Sequence, residues 1–109
     1  MLLAIKEYIT IDGKSPFGRW FESLNAQAAA KVTVGIARME QGNFSNSKSI
    51  GSGVWEAKID FGPGYRIYYA KEEDRIILLL AGGSKKQQQV DIENAKHSWN
   101  EYKKRKRGH

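Results

Sequence analysis

Three consecutive segments constrain this chain most: VWEAKIDF at 54–61, YRIYYA at 65–70 and IILLLAG at 76–82. The first alternates cleanly, with Trp55, Ala57, Ile59 and Phe61 on one side and Glu56, Lys58 and Asp60 on the other, the period of a strand with two unlike faces. Gly62-Pro63-Gly64 supplies a turn, and YRIYYA returns with Tyr65, Ile67 and Tyr69 opposed to Arg66 and Tyr68. KEEDR turns the chain again, and IILLLAG is almost continuously apolar, as expected of a strand covered on both faces. The pattern predicts an antiparallel meander.

The flanks are helical by the same reasoning. LLAIKEYIT reads as a first strand, and Asp12-Gly13 as a turn. Ser15 then caps a short helix with Pro16 in its first position and Phe17, Trp20, Phe21 and Leu24 as an apolar stripe. Asn25 caps a second helix, from about Ala26 to Gln41, with Gly42 as its stop. GNFSNSKSIGSG after it reads as a mobile loop. A last helix starts near Gln88, carries Ile92, Ala95, Trp99 and Tyr102 as a stripe, and runs into a basic tail at about 103–109. The order is β-α-α-β-β-β-α. It predicts one α+β domain over residues 1–109, with the two N-terminal helices on one face of a small, mainly antiparallel sheet.

Composition narrows the function classes. The chain has 109 residues and no cysteine, so a disulfide framework and a thiolate metal site are excluded. No P-loop and no cluster at metal-ligand spacing occurs, and no cofactor or metal is expected. MLLAI is broken by Lys6 and Glu7, so no signal peptide is read, and no apolar run approaches the roughly 20 residues that span a bilayer. A cytoplasmic location and no membrane partner are expected. The net charge of +6 favours an anionic partner. Lys103, Lys104, Arg105, Lys106 and Arg107 are consecutive, and Lys85 and Lys86 follow the last strand, which makes nucleic acid the leading partner class and these residues candidate RNA contacts.

The polar side of the hairpin is the candidate site. Pairing across the five-residue connection 61–65 sets Asp60 opposite Arg66 and Lys58 opposite Tyr68, and gathers Glu56, Lys58, Arg66 and Tyr68 into one patch with Lys85 or Lys86 at its rim. One reading is a solvated sheet face with cross-strand ion pairs. The other is a phosphodiester site. Arginine suits phosphate because its planar fork donates two parallel hydrogen bonds. RNA cleavage without a metal needs a base for the 2′-OH, an acid for the 5′-oxygen and charge against the phosphoryl oxygens. Glu56 or a lysine can serve as base, a second lysine or Tyr68 as acid, and Arg66 as stabiliser. No histidine lies on this face, His97 falling in the last helix and His109 at its far end. Gly82 and Gly83 end the apolar strand without side chains. They are read as opening a groove for the lysines beyond, or else as a simple turn into the last helix.

Two stretches, GSGVWEAKIDFGPGYRIYYA at 51–70 and LLLAGGSKKQQQVDIENAKHSW at 78–99, carry a resemblance. Their patterns are a Gly-x-Glu-x-[Arg/Lys] strand, a Gly-Pro-Gly-[Tyr/Phe]-Arg hairpin, and Leu-Leu-x-Gly-Gly-x-Lys-x-x-Gln-x-x-Asp-Ile-x-x-Ala. With the helical N-terminal half they resemble the RelE/ParE toxin superfamily, in its HigB-like "addiction module killer protein" branch of type II toxin–antitoxin systems. The resemblance implies a toxin neutralised by a cognate antitoxin, usually a helix-turn-helix protein. Many such toxins cleave mRNA in the ribosomal A site, without a metal, and so inhibit translation. By position it makes Arg66 the catalytic or phosphate-binding arginine, Lys58 a basic residue of the preceding strand, and Lys85 the lysine after Gly-Gly. The ParE arm shares the fold but acts on DNA gyrase, so gyrase inhibition is an alternative. A non-catalytic nucleic-acid-binding module is another.

Overall fold

The meander forms as the alternation predicts; an unexpected antiparallel strand lengthens it on one side, and the expected first strand joins its other side in parallel. The structure, a computed structural model, describes residues 2–108; Met1 and His109, the last position of the predicted basic tail, lie outside them. β1 spans Ala4–Glu7, β2 Ser47–Gly51, β3 Val54–Ile59, β4 Tyr65–Glu72 and β5 Ile76–Ser84. They form one sheet in the order β1-β5-β4-β3-β2. β1 runs parallel to β5, and every other pairing is antiparallel. β2 corrects the mobile loop expected at 42–53. Its Ser, Lys and Gly residues have no strand propensity of their own, and pairing with β3 supplies the order.

Helices α1 (Pro16–Glu22) and α2 (Ala26–Glu40) begin as their caps dictate. The Ser15 hydroxyl accepts from the Gly18 amide at 2.9 Å and the Asn25 side chain from the Ala28 amide at 2.9 Å, each satisfying one otherwise orphaned N–H. They cover one sheet face, where Phe17, Val32 and Met39 meet Ala57, Ile67, Tyr69, Ile77 and Leu79. A single 3-10 turn, Lys85–Gln87, leads into α3, Gln88–Arg107.

α3 covers the opposite face, with Ala95 buried and Ile92, Trp99 and Tyr102 packed on Val54, Tyr68, Ala70, Leu78 and Leu80. The sheet therefore lies between two helical layers with a core on each side. Burying each large aliphatic side chain there contributes roughly 1.5–3 kcal/mol. The basic segment belongs to α3 through Arg107 and is not an extended tail.

The hairpin register differs from the expected one by two residues. Lys58 pairs with Arg66, Glu56 with Tyr68 and Ile59 with Tyr65. The connection keeps its five residues but is 60–64 rather than 61–65, with Gly62 and Gly64 at φ of 56° and 80°, a region open to glycine. A shift of two keeps every side chain on its expected face.

Candidate functional site: a cationic groove at the sheet edge

The polar side chains of β2, β3 and β4 fall into two cross-strand rows on the α3 side of the sheet. One row is Lys48, Glu56 and Tyr68; the next is Lys58, Arg66 and Gly83. α3 covers the inner end of these rows and leaves the outer end open. There a groove of about 510 Å³ is lined by Lys48, Glu56, Lys58, Asp60 and Arg66, with Ser45, Asn46 and Ser47 completing its wall.

Burial within the patch is uneven. Lys58 and Asp60 are exposed, while Glu56 and Arg66 retain only 3% and 7% of their accessible surface. Arg66 donates from Nη1 to the Gly64 carbonyl at 3.3 Å, and that carbonyl also accepts from the Lys85 amide at 2.9 Å. The hairpin turn, the Arg66 head and the turn carrying Lys85 are thereby tied together. Glu56 Oε2 accepts from Gln88 Nε2 at 2.9 Å. Its charge partners stand farther off, Arg66 Nε and Lys48 Nζ each at 3.8 Å. Arg66 Nε is buried without a hydrogen-bond partner.

Tyr68 is placed differently from its expected role. It is fully buried beneath α3 and does not line the groove, so it can neither stack on a base nor reach a substrate oxygen. Burial, reinforced by the Glu56 and Asp91 carboxylates, pushes its hydroxyl well above the ordinary value of 10.0. Alternation along β4 identified the face of Tyr68 but carried no information on which part of that face α3 covers.

The strand-ending glycines serve helix packing. A Cβ on Gly82 would run into the Trp20 ring of α1, and one on Gly83 into the Asp91 carboxylate of α3. Their bareness admits one helix on each face, which corrects both the groove-opening and the simple-turn readings. Asp91 Oδ2 is itself buried without a partner, and burial raises its pKa.

The remaining basic candidates lie elsewhere. Lys85 and Lys86 are exposed on the 3-10 turn, outside the groove lining. The α3 segment reaches the Glu72 end of β4, about 20 Å of strand from Arg66. Lys106 is paired there with Glu72, and Arg105 donates to Glu101 at 2.9 Å and to the Ile9 carbonyl at 3.0 Å. Lys103 stands 5.3 Å from the centre of the Trp99 ring, and Lys104 and Arg107 are exposed. Lys48, Gln88 and Asp91 were not picked as site residues from sequence. Lys48 was hidden in a stretch with loop composition, and the other two in a helix whose docking the sequence does not encode locally. Among the described residues, no helix is long and apolar enough to cross a membrane.

Comparison with known proteins places the chain among relatives. It is 38% identical over 97 residues to an uncharacterized protein of Haemophilus influenzae (strain Rd), spanning 88% of this chain and 92% of that protein. Residues 19–103, from α1 through nearly all of α3 and including the whole groove, match the family described as phage derived protein Gp49-like (DUF891). The chain belongs to the Gp49-like family of phage-derived proteins.

Proposed function

We propose that the protein is the toxin of a toxin–antitoxin module, a metal-independent endoribonuclease that cuts mRNA on the ribosome and is neutralised by a cognate antitoxin, of the helix-turn-helix type that the RelE/ParE resemblance implies. The observation that carries this reading is the direct cross-strand pairing of Lys58 with Arg66 at an open groove. Like charges opposed on a sheet are destabilising unless an anion lies against both. A phosphodiester meets that requirement, and the arginine fork matches its oxygens. Membership in a phage-derived family and the HigB-like motifs support a toxin.

In this scheme Arg66 binds the scissile phosphate and stabilises charge growing on its oxygens. Glu56 takes the proton of the 2′-OH, whose oxygen forms the new bond to phosphorus. The bond to the 5′-oxygen breaks, and Lys58 protonates that oxygen. The products are a 2′,3′-cyclic phosphate and a 5′-OH end. Tyr68 has no part in the proton transfers. Lys85 adds charge near the hairpin turn, and Lys103, Lys104 and Arg107 contact RNA away from the cut.

Primer extension on cellular mRNA after brief induction tests this, with wild type set against Arg66→Ala. The expected result is discrete cuts inside translated codons, absent in a folded Arg66→Ala protein. Growth arrest with intact mRNA would sink the nuclease and point to gyrase. RNA binding without either effect would leave a binding module.

A further inference from the structure

We infer that Gln88 is a positioning residue: by occupying the Glu56 carboxylate it keeps the Arg66 guanidinium available to an anion. The inference rests on the proposal that this groove receives a phosphate, and it concerns how the site is held open.

Glu56 and Arg66 are opposite charges, each more than nine-tenths buried. Such a pair ordinarily closes into short, paired hydrogen bonds, because the low-dielectric interior strengthens the attraction and leaves no water to compete. Here it does not close. Arg66 Nε stays 3.8 Å from Glu56 Oε2 and has no hydrogen-bond partner. The same Oε2 accepts from Gln88 Nε2 at 2.9 Å. An amide is suited to this task because it donates to a carboxylate without adding a charge of its own.

Gln88 is not free to wander. It is the first residue of α3, directly after the 3-10 turn. That turn is tied through the Lys85 amide to the Gly64 carbonyl, which also holds Arg66 Nη1. Asp91 against Gly83, and Ala95 in the core, fix the next turns of the helix. Docking of α3 therefore sets both sides of the arrangement, Arg66 anchored at one nitrogen and Glu56 drawn off the other. Lys48 is an alternative partner for a released Glu56, but its side chain is 70% exposed, where solvent screens its charge. The buried guanidinium is the stronger attractor.

Gln88→Leu should let Glu56 close on Arg66. The test uses wild type, Gln88→Leu, Gln88→Ala, Glu56→Gln and Gln88→Leu/Glu56→Gln. The Arg66 Nε–H resonance is followed by NMR, alone and with inorganic phosphate. Affinity is measured for a short single-stranded RNA carrying 2′-O-methyl groups, which cannot be cleaved. In both single Gln88 variants the Nε–H signal should shift and exchange more slowly, and RNA affinity should fall about tenfold. In the double variant affinity should return to that of Glu56→Gln, since no carboxylate remains to close on Arg66. An unchanged Nε–H signal in Gln88→Leu and Gln88→Ala would overturn the inference. So would an equal loss of affinity with and without Glu56, which would mean that Gln88 touches the RNA itself. If wild type binds no RNA, the proposed function fails instead, and the Nε–H signal and its response to phosphate still decide the role of Gln88.

Discussion

Gly82 and Gly83 are adjacent on β5 and face opposite layers of the molecule, so each tests a different helix contact. Gly82→Ala sets a methyl against the rigid Trp20 ring, and overpacking of this kind costs about 1–3 kcal/mol, measurable by denaturant unfolding. Gly83→Ala instead displaces Asp91, with the loss falling on the start of α3. Asp91 also carries a pH signature. Burial raises its pKa, so the folded protein holds this proton more tightly than the unfolded chain does. The group favours folding most below the ordinary value of 3.8, and that advantage declines as pH rises through the folded value. Asp91→Asn removes a buried charge with no partner. Its Tm should exceed that of wild type at pH 7, and the gap should close as pH falls toward 3.8. A lower Tm for Asp91→Asn at pH 7 would show that the ionised carboxylate is stabilising. Residue identity made Arg66 and Lys58 legible as candidate phosphate ligands, because guanidinium and ammonium chemistry is intrinsic. It could not reveal that Tyr68 is inaccessible or that Gln88 matters, because both depend on where α3 lies.

Among elements, α3 combines an apolar stripe with ionic ties near its end. Burial works to raise the Glu72 carboxyl, but hydrogen bonds from Lys106 and Tyr102 together outweigh it and hold it below the ordinary value of 4.5. Hydrogen bonds from Arg105 and Tyr8 bring Glu101 down to about 2. A carboxylate depressed in the fold contributes stability above its unfolded pKa and loses it as pH falls through the folded value. Between pH 4.5 and about 2 the C-terminal half of α3 should therefore loosen before the sheet does. Hydrogen exchange should show amides near Tyr102 losing protection while those of β4 and β5 keep it; simultaneous loss would refute the local release. The caps of α1 and α2 were legible because Ser15 and Asn25 act on amides three residues away. β2 was not, because its order comes from a partner strand. The register slipped by two because the composition around Gly-Pro-Gly does not fix at which residue the five-residue connection begins, yet the patch survived because strand faces repeat every two residues.

Across the whole molecule, the charge divides by environment rather than by sequence run. Of the five consecutive basic residues on α3, Arg105 and Lys106 are tied to carboxylates, while Lys103, Lys104 and Arg107 are exposed. An exposed cation that neutralises a phosphate releases a counterion, which steepens the salt dependence of binding by about 0.7 per contact on a single strand. Replacing Lys103, Lys104 and Arg107 together by serine should thus flatten the slope of log K against log salt by about 2, and weaken RNA of any sequence alike. Cleavage at saturating RNA should persist in that variant, because the groove at the other end of β4 is untouched. Arg66→Ala should do the reverse, ending cleavage while changing the slope by no more than about one contact. If the triple substitution leaves the slope unchanged, the exposed residues of α3 do not carry RNA. Net charge would then act only through long-range attraction, and the groove around Arg66 and Lys58 would have to supply the contacts that hold the strand.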